Sequence, residues 1–235
     1  MTAMIRRNLC LGAVLALALS LSLLTACADT PAAGDIITFG RYEQDNDPSD
    51  GPEPIEWIVL AVDETAGRAL VLSRHGLDAL PYNTEQTDAS WETCTLRAWL
   101  NGEFLTGAFT GEEQAAVLET AVDNSAGQDP WKRDGADTLD RVFLLSWPES
   151  RMYFAAKEDA LCAPTDHAAA QGAYLSKTVS VGGRAAGVWW FRTPAAGDQS
   201  AFGVPDNADW GYNGVSTAFV CVRPALWLDL NAGIF

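Results

Sequence analysis

VWWFRTP at positions 188–194 and AFVCVRPALW at positions 218–227 are the two stretches that decide the fold of this chain. Each is rich in apolar, aromatic and β-branched residues, and each contains an arginine followed closely by a proline. This composition is typical of strands that are buried on both faces. We therefore predict that the two strands lie side by side in one interior. The polar, glycine-rich segment between them, residues 195–217, is then expected to face solvent and to carry any binding site.

The first residues of the chain predict export. Arg6 and Arg7 precede an apolar run at positions 11–24, which is shorter than the roughly 20 residues that a membrane-spanning helix needs. Positions 24–27, Leu-Thr-Ala-Cys, resemble the lipobox of bacterial lipoproteins. The resemblance implies cleavage before Cys27 and a diacylglyceryl group on its thiol, and two acyl chains give stable membrane attachment. An ordinary signal peptide with a chance cysteine, and an uncleaved anchor, are the alternatives.

These features divide the chain into a signal peptide (residues 1–26), a tether (27–35) and a single folded domain (36–235). The domain is long enough to bury one sizeable core. We expect the lipid on Cys27 to hold it at the extracytoplasmic face of the cell membrane.

The chain is strongly acidic, with 31 Asp and Glu residues against 15 Lys and Arg residues and a formal charge of −16. Removal of the signal peptide, which contains Arg6 and Arg7 but no acidic residue, leaves an even more acidic domain. Such a surface repels the phosphates of nucleic acids and of anionic lipids. The charge therefore argues against nucleic acid as a partner and against a basic membrane-binding patch.

Local patterns predict a mixture of strands and short helices, an α+β domain. The runs at 55–62 and 68–73, separated by a five-residue polar turn, predict a β-hairpin. Bulky apolar residues between positions 91 and 104 recur at mostly helical spacing, and Asn101-Gly102 predicts a stop or kink. Further short helices are predicted from their N-cap residues, which are Thr110 with Glu113, Ser146 with Glu149, and Thr165.

A series of short motifs in a fixed order resembles a bacterial family. The motifs include Phe39-Gly40-x-Tyr42, Ile55-x-Trp57, Leu96-Arg97-x-Trp99-Leu100-Asn101, Trp189-Trp190-x-Arg192 and Val222-Arg223-Pro224-Ala225-Leu226. Taken together they resemble the family catalogued as domain of unknown function 6273, over about positions 36–230. None of these motifs carries known chemistry.

The C-terminal part is also similar to the C-type-lectin-like fold, which the formylglycine-generating oxidases share. It has an aromatic strand with an arginine, a Gly- and Asn-bearing loop, and an Arg-Pro-Ala strand. The resemblance implies a C-type-lectin-like architecture, with twisted, mostly antiparallel sheets and a few short helices. Fold alone does not determine function.

Three arginines, Arg97, Arg192 and Arg223, lie among apolar neighbours. A half-buried guanidinium must be paired or solvated. We predict that they are structural and form internal ion pairs that fix helix to sheet. A pocket for an anion or carboxylate is the alternative.

Segment 195–217 supplies the candidate ligand-binding residues. Carboxylates and amides beside aromatic rings suit a sugar or peptide, which stacks on a ring while polar groups fix its orientation. The candidates are Asp206, Asn207, Asp209, Trp210, Tyr212 and Asn213. Calcium ligation is an alternative, but the spacing matches no EF-hand loop, and we predict no metal or cofactor. An ordinary solvated loop is the other alternative.

The three cysteines of the domain, Cys94, Cys162 and Cys221, leave two alternatives open. They form one disulfide with one leftover thiol, or they are three small buried hydrophobic residues. There is no CxxC or His-x-His spacing, so a structural zinc site is not predicted.

The sequence predicts no catalytic residues. His75 and His167 are its only histidines, His167 is expected at a helix start, and no Gly-x-Ser-x-Gly motif is present. An oxidase like the formylglycine-generating enzymes would need two thiolates that bind copper(I), and no cysteine pair aligns with that site. The sequence thus favours a lipid-anchored domain for binding or scaffolding, with a glycan or peptide as ligand. The alternatives are an enzyme on the formylglycine-generating-like scaffold and a purely structural envelope protein.

Overall fold

The computed structural model describes residues 30–126, 129, 131–197, 199–209 and 211–234. The signal peptide and Cys27 therefore lie outside the described residues. Within those residues, none of the helices has the length and apolar character needed to span a bilayer.

Fifteen strands form within the described residues. In chain order they are β1 (Ile36–Tyr42), β2 (Glu53–Asp63), β3 (Arg68–Ser73), β4 (Asp78–Ala79), β5 (Val117–Leu118), β6 (Thr120–Val122), β7 (Thr138–Asp140), β8 (Val142–Phe143), β9 (Ser180–Val181), β10 (Arg184–Ala185), β11 (Trp189–Pro194), β12 (Ser200–Val204), β13 (Gly211–Gly214), β14 (Cys221–Val222) and β15 (Ala225–Asp229).

The helices of the described residues are all short. They are α1 (Thr95–Trp99), a π-helical segment (Leu100–Phe104), α2 (Leu105–Ala108), α3 (Gly111–Ala116), α4 (Trp147–Tyr153), a 3₁₀ turn (Lys157–Ala160) and α5 (Asp166–Ala170).

Two sheets organise the molecule. The first contains β1, β2, β3, β15 and β5 in that order, with β8 also paired to β15, and every pairing is antiparallel. The second runs β13, β12, β11, β14, β4, and only its β11–β14 pair is parallel. Two-stranded pairs β6–β7 and β9–β10 lie outside these sheets. The prediction of mostly antiparallel sheets with a few short helices is confirmed.

The two C-terminal stretches are neighbours, but the second one is divided between the sheets. Trp189 of β11 pairs with Cys221 of β14, as expected for adjacent strands. At Arg223 and Pro224 the chain leaves the second sheet, and β15 then pairs with β3 in the first. The prediction of one continuous strand over this run is therefore wrong. The reason is that Pro224 lacks an N–H donor and interrupts the hydrogen-bond ladder between β14 and β15.

Several local predictions are confirmed. Strands β2 and β3 form the predicted hairpin, and both capping boxes are present, with Thr110 and Ser146 as N-caps. The side chain of Thr165 caps α5.

Of the stop or kink predicted at Asn101-Gly102, the stop is wrong, and a π-helical irregularity lies at these residues. The chain continues through the π-helical segment into α2. The π-helical turn is wider than an α-helical turn, and from it the Asn101 side chain reaches β8.

Candidate functional site

The segment 195–217, expected to be an exposed loop, contains a pair of strands. Strands β12 and β13 are antiparallel, and all five residues of β12 are buried. Gly203 explains the tight packing, because a Cβ at this position would lie 2.5 Å from the carbonyl oxygen of Trp189. In the turn between the strands, described over residues 205–209, Asn207 and Asp209 keep the exposed polar character that the sequence predicted; Trp210 lies outside the described residues.

Within this β12–β13 turn, the two acidic candidates have different neighbours. Asp206 accepts a hydrogen bond of 3.2 Å from the Tyr174 hydroxyl. Asp209 accepts one of 3.3 Å from the Lys157 ammonium. Asn207 is structural as well as exposed, since its Oδ1 accepts the backbone N–H of Asp209 at 3.1 Å. The candidates therefore do not all point to one place.

Tyr212 and Asn213 lie on β13, which is an edge strand. The Tyr212 side chain is 64% exposed, and its ring meets the Phe202 ring edge-on at 6.3 Å. Phe202 in turn stacks on Trp147 of α4, with ring centroids 5.5 Å apart. Tyr212 thus lies on the face of the second sheet that α4 covers.

An open cleft of about 420 Å³ lies between α4, the 3₁₀ turn and the β12–β13 turn; we call it the α4 cleft. The apolar side chains that line it include Phe154, which is partly exposed, and Phe191 and Val204, which are buried. Its rim carries charged side chains from both walls. They are Arg151 and Lys157 on one wall and Asp209 on the other.

The charged groups at the rim interact only weakly with one another. The side chains of Lys157 and Asp209 are 54% and 60% exposed, and their ammonium and carboxylate lie 3.3 Å apart. An ion pair that is this exposed contributes about 0–1 kcal/mol. Arg151, also exposed, makes no ion pair with any described residue. These groups are therefore available to a ligand at little cost.

Arg192 holds α4, and with it one wall of the α4 cleft, against β11. Its guanidinium forms a two-pronged ion pair with Glu149, and the Nη2–Oε1 distance is 2.9 Å. Its remaining donors bond to Asn124 Oδ1 at 3.1 Å and to the carbonyl oxygens of Leu144 and Asp123, each at 2.9 Å. Glu149 also closes the capping box of α4. Arg192 therefore positions the helix.

A second cleft, of about 650 Å³, lies on the other side of α4 and contains Arg192 and Glu149. The second charge pair in it is Lys132 with Asp129, at 3.2 Å. Lys132 also sits 4.7 Å from the centroid of the Trp147 ring. Because these charges are already paired and Lys132 is largely buried, this cleft is the weaker candidate.

The other two predicted structural arginines have unlike partners. Arg97 donates to Asp140 at 2.6 Å, and this carboxylate also accepts from Trp91 and Thr138. Arg223 is buried and has no carboxylate partner among the described residues.

Carbonyl oxygens and a ring take the place of a carboxylate for Arg223. It donates to the carbonyl oxygens of Ser73 at 2.9 Å and Ala160 at 3.3 Å, and lies 4.9 Å from the Trp189 ring centroid. Burial lowers the pKa of this guanidinium. Its position, where the chain crosses between the sheets, links both sheets to the 3₁₀ turn.

The three cysteines in the described part of the chain are free and buried. Burial raises the pKa of Cys94 to about 12 and also raises the pKa values of Cys162 and Cys221. The thiolate form that copper(I) binding requires is disfavoured at all three, so they lend no support to the oxidase alternative.

Both histidines and the clustered carboxylates lie outside segment 195–217, the predicted binding segment. His75 lies half-buried near the carbonyl oxygen of Ala163, and burial lowers its pKa. His167 is in the first turn of α5, 3.9 Å from Asp78. In the described residues, the carboxylates close enough to share a metal ion are Glu43, Asp45 and Glu53, within 4.8 Å of one another. They lie around the β1–β2 loop, not in segment 195–217.

Sequence reasoning missed Arg151 and Lys157, and with them the α4 cleft. The available signal was the sequence RMYFAAK at 151–157, in which two cations flank two aromatic residues at the end of a capped helix. Without the position of β12 nothing in this stretch indicates that Phe154 faces a cleft.

A family model described as a domain of unknown function (DUF6273) matches residues 66–230. The chain belongs to this family. The match begins after β2, so β1 and β2 of this DUF6273 domain lie outside it. The resemblance of the sequence motifs had predicted that both strands belong to the family region. No curated protein and no solved structure matches the chain.

Proposed function

We propose that this DUF6273 domain binds a saccharide in the α4 cleft, at the outer face of the cell membrane, where the lipid on Cys27 anchors it. The observation that carries the proposal is one open cleft that combines a partly exposed aromatic ring, Phe154, with exposed charged groups at its rim. Sugar sites use apolar ring surfaces for contact and a few polar groups for orientation.

The shape of the cleft favours a saccharide over a peptide. A peptide that binds as an added strand needs a free sheet edge. The sheet strand under this cleft is β12, which is paired on both sides by β11 and β13. The floor therefore offers side chains rather than unpaired backbone groups.

We further propose that the architecture is C-type-lectin-like. Two features support this: β1 and β15 belong to the same sheet, and a meander of β11, β12 and β13 returns through β14 in the other. The β12–β13 turn of this meander supplies one wall of the α4 cleft.

The binding proposal is tested by the variant Asp209→Ala. A charged acceptor that bonds to a ligand hydroxyl contributes about 1.5–3 kcal/mol, so its removal should weaken saccharide binding by about tenfold or more. The matched control is Asp50→Ala, an exposed carboxylate on the β1–β2 loop. A glycan array followed by calorimetry measures both variants. Unchanged affinity in Asp209→Ala, or affinity for extended peptides alone, would contradict the proposal.

The anchoring proposal is tested by Cys27→Ser. This variant should lose labelling by a radioactive fatty acid and move from the membrane fraction to the soluble fraction. Retention in the membrane without label would show a different anchor.

A further inference from the structure

We infer that the α4 cleft selects acidic saccharides, those that carry a carboxylate on the sugar ring. The inference rests on the proposed function and names the class of ligand. It starts from an imbalance: the chain has a formal charge of −16, yet two of its 15 cationic side chains lie on one wall of this cleft.

Arg151 is the first of these cations. Most arginines of the described chain have a carboxylate or carbonyl partner, as Arg192 and Arg223 do. Arg151 is exposed at the rim, in the last turn of α4, and forms no ion pair within the described residues. A guanidinium presents a planar fork of donors that matches the two oxygens of a carboxylate.

Lys157 is the second cation, and it already contacts a carboxylate. Its ammonium bonds to Asp209 across the mouth of the cleft, with both side chains more than half exposed. Because such a pair is worth little in water, an incoming carboxylate can replace Asp209. Asp209 is then free to accept from a hydroxyl of the same ligand.

The floor distinguishes a sugar acid from a small inorganic anion. Phe154 lies between the two cations in sequence and is partly exposed, whereas Phe191 and Val204, which also line the cleft, are buried. An inorganic anion gains nothing from such a surface, whereas the C–H groups of a sugar ring bury against it. The combination of cations with an aromatic floor therefore matches a ring that bears a carboxylate.

The test is calorimetric titration of the full-length chain in mild detergent. The probes are trisaccharides of galacturonic and glucuronic acid, each beside the neutral trisaccharide of the same linkage. We expect at least one acidic probe to bind about tenfold more tightly than its neutral counterpart, and this preference to shrink at high salt.

Two charge variants and one control locate the effect. Arg151→Gln and Lys157→Gln should each reduce affinity for the acidic probe by about tenfold, and by several-fold more than they reduce affinity for the neutral probe. The control Arg41→Gln removes an exposed cation of the first sheet and should change neither. Because Arg151 is exposed, its replacement should not unfold the protein, and a thermal melt checks this.

The outcomes separate this inference from the proposed function. Equal affinity for acidic and neutral probes overturns the inference and leaves saccharide binding intact. Binding of neither kind of probe overturns both. A preference for acid that survives in both charge variants, or a glutamate-rich peptide that binds as tightly as the sugar acids, also overturns the inference.

Discussion

At the scale of single residues, Arg192 shows how this fold accommodates an arginine in an apolar stretch. The side chain is 2% exposed, and its charge is matched by Glu149 and by three further acceptors. It links β11 to α4 and to the chain before β7. The sequence indicated that the arginine must be paired, but not with which of the 31 acidic residues.

Replacement of Arg192 by Met should lower the free energy of unfolding by about 3–5 kcal/mol, because Glu149 and the carbonyl acceptors lose their partner. Arg74→Met is the matched control, since the Arg74–Glu56 pair is exposed on both sides and should contribute less than about 1 kcal/mol. Urea titrations measure both. Similar midpoints for the two variants would contradict the structural role of Arg192.

Because the thiols are buried, we expect the free energy of unfolding to fall at alkaline pH. Burial raises the pKa of Cys94 from 9.0 to about 12 in the folded protein. The folded thiol therefore keeps its proton after the unfolded chain has lost it. Stability is full below pH 9 and falls as the pH rises towards 12, by about 1.4 kcal/mol per pH unit for this thiol.

Urea unfolding at several pH values, under reducing conditions, measures this slope. In Cys94→Ala the slope between pH 9 and pH 12 should be smaller by that amount. A slope that is the same with and without Cys94 would show that the thiol ionises equally in both states.

At the scale of elements, the π-helical segment connects α1 and α2 to β8 through Asn101. The side chain donates to the carbonyl oxygens of Arg97 and Val142 and accepts from the N–H groups of Arg141 and Val142. The Asn101 amide thus pairs with backbone N–H and C=O groups at the start of β8, as a neighbouring strand would. The widened turn places it there.

Asn101→Ala should cost about 2–3 kcal/mol of stability, because it leaves backbone groups of the β8 region without partners. Thr106→Ala, on the exposed side of α2, is the control and should change stability by about 0.5 kcal/mol or less. The midpoint of urea unfolding gives both values. A loss in Asn101→Ala no larger than in the control would remove the proposed link.

Elements set by local signals were predictable from the sequence. The β2–β3 hairpin and the N-caps at Thr110, Ser146 and Thr165 each depend on a few adjacent residues. Strands β12 and β13 were not, because their polar, glycine-rich sequence pairs only in the context of β11.

The candidate site was predictable in part for the same reason. The β12–β13 turn was indicated by its composition, and Asp209 does reach a cleft. The opposite wall, with Arg151 and Lys157, comes from a segment about 50 residues earlier in the chain and carries no local mark of its contact with the turn.

At the scale of the whole molecule, two antiparallel ribbons tie the sheets together. Strands β3 and β15 pair in the first sheet, and their continuations β4 and β14 pair in the second. Arg223 lies at the crossing and bonds to the carbonyl oxygen of Ser73 on the neighbouring ribbon. The strands outside the family match are part of this body, since Trp57 of β2 is fully buried.

The most direct test of the central claim is to map the amides that respond to a bound saccharide. Backbone NMR shifts of the full-length chain, titrated with the acidic and neutral trisaccharides, should change at residues 151–160 and 206–209 and saturate with a single affinity. Changes concentrated at residues 123–132, in the second cleft, or the absence of any saturable change, would contradict binding in the α4 cleft.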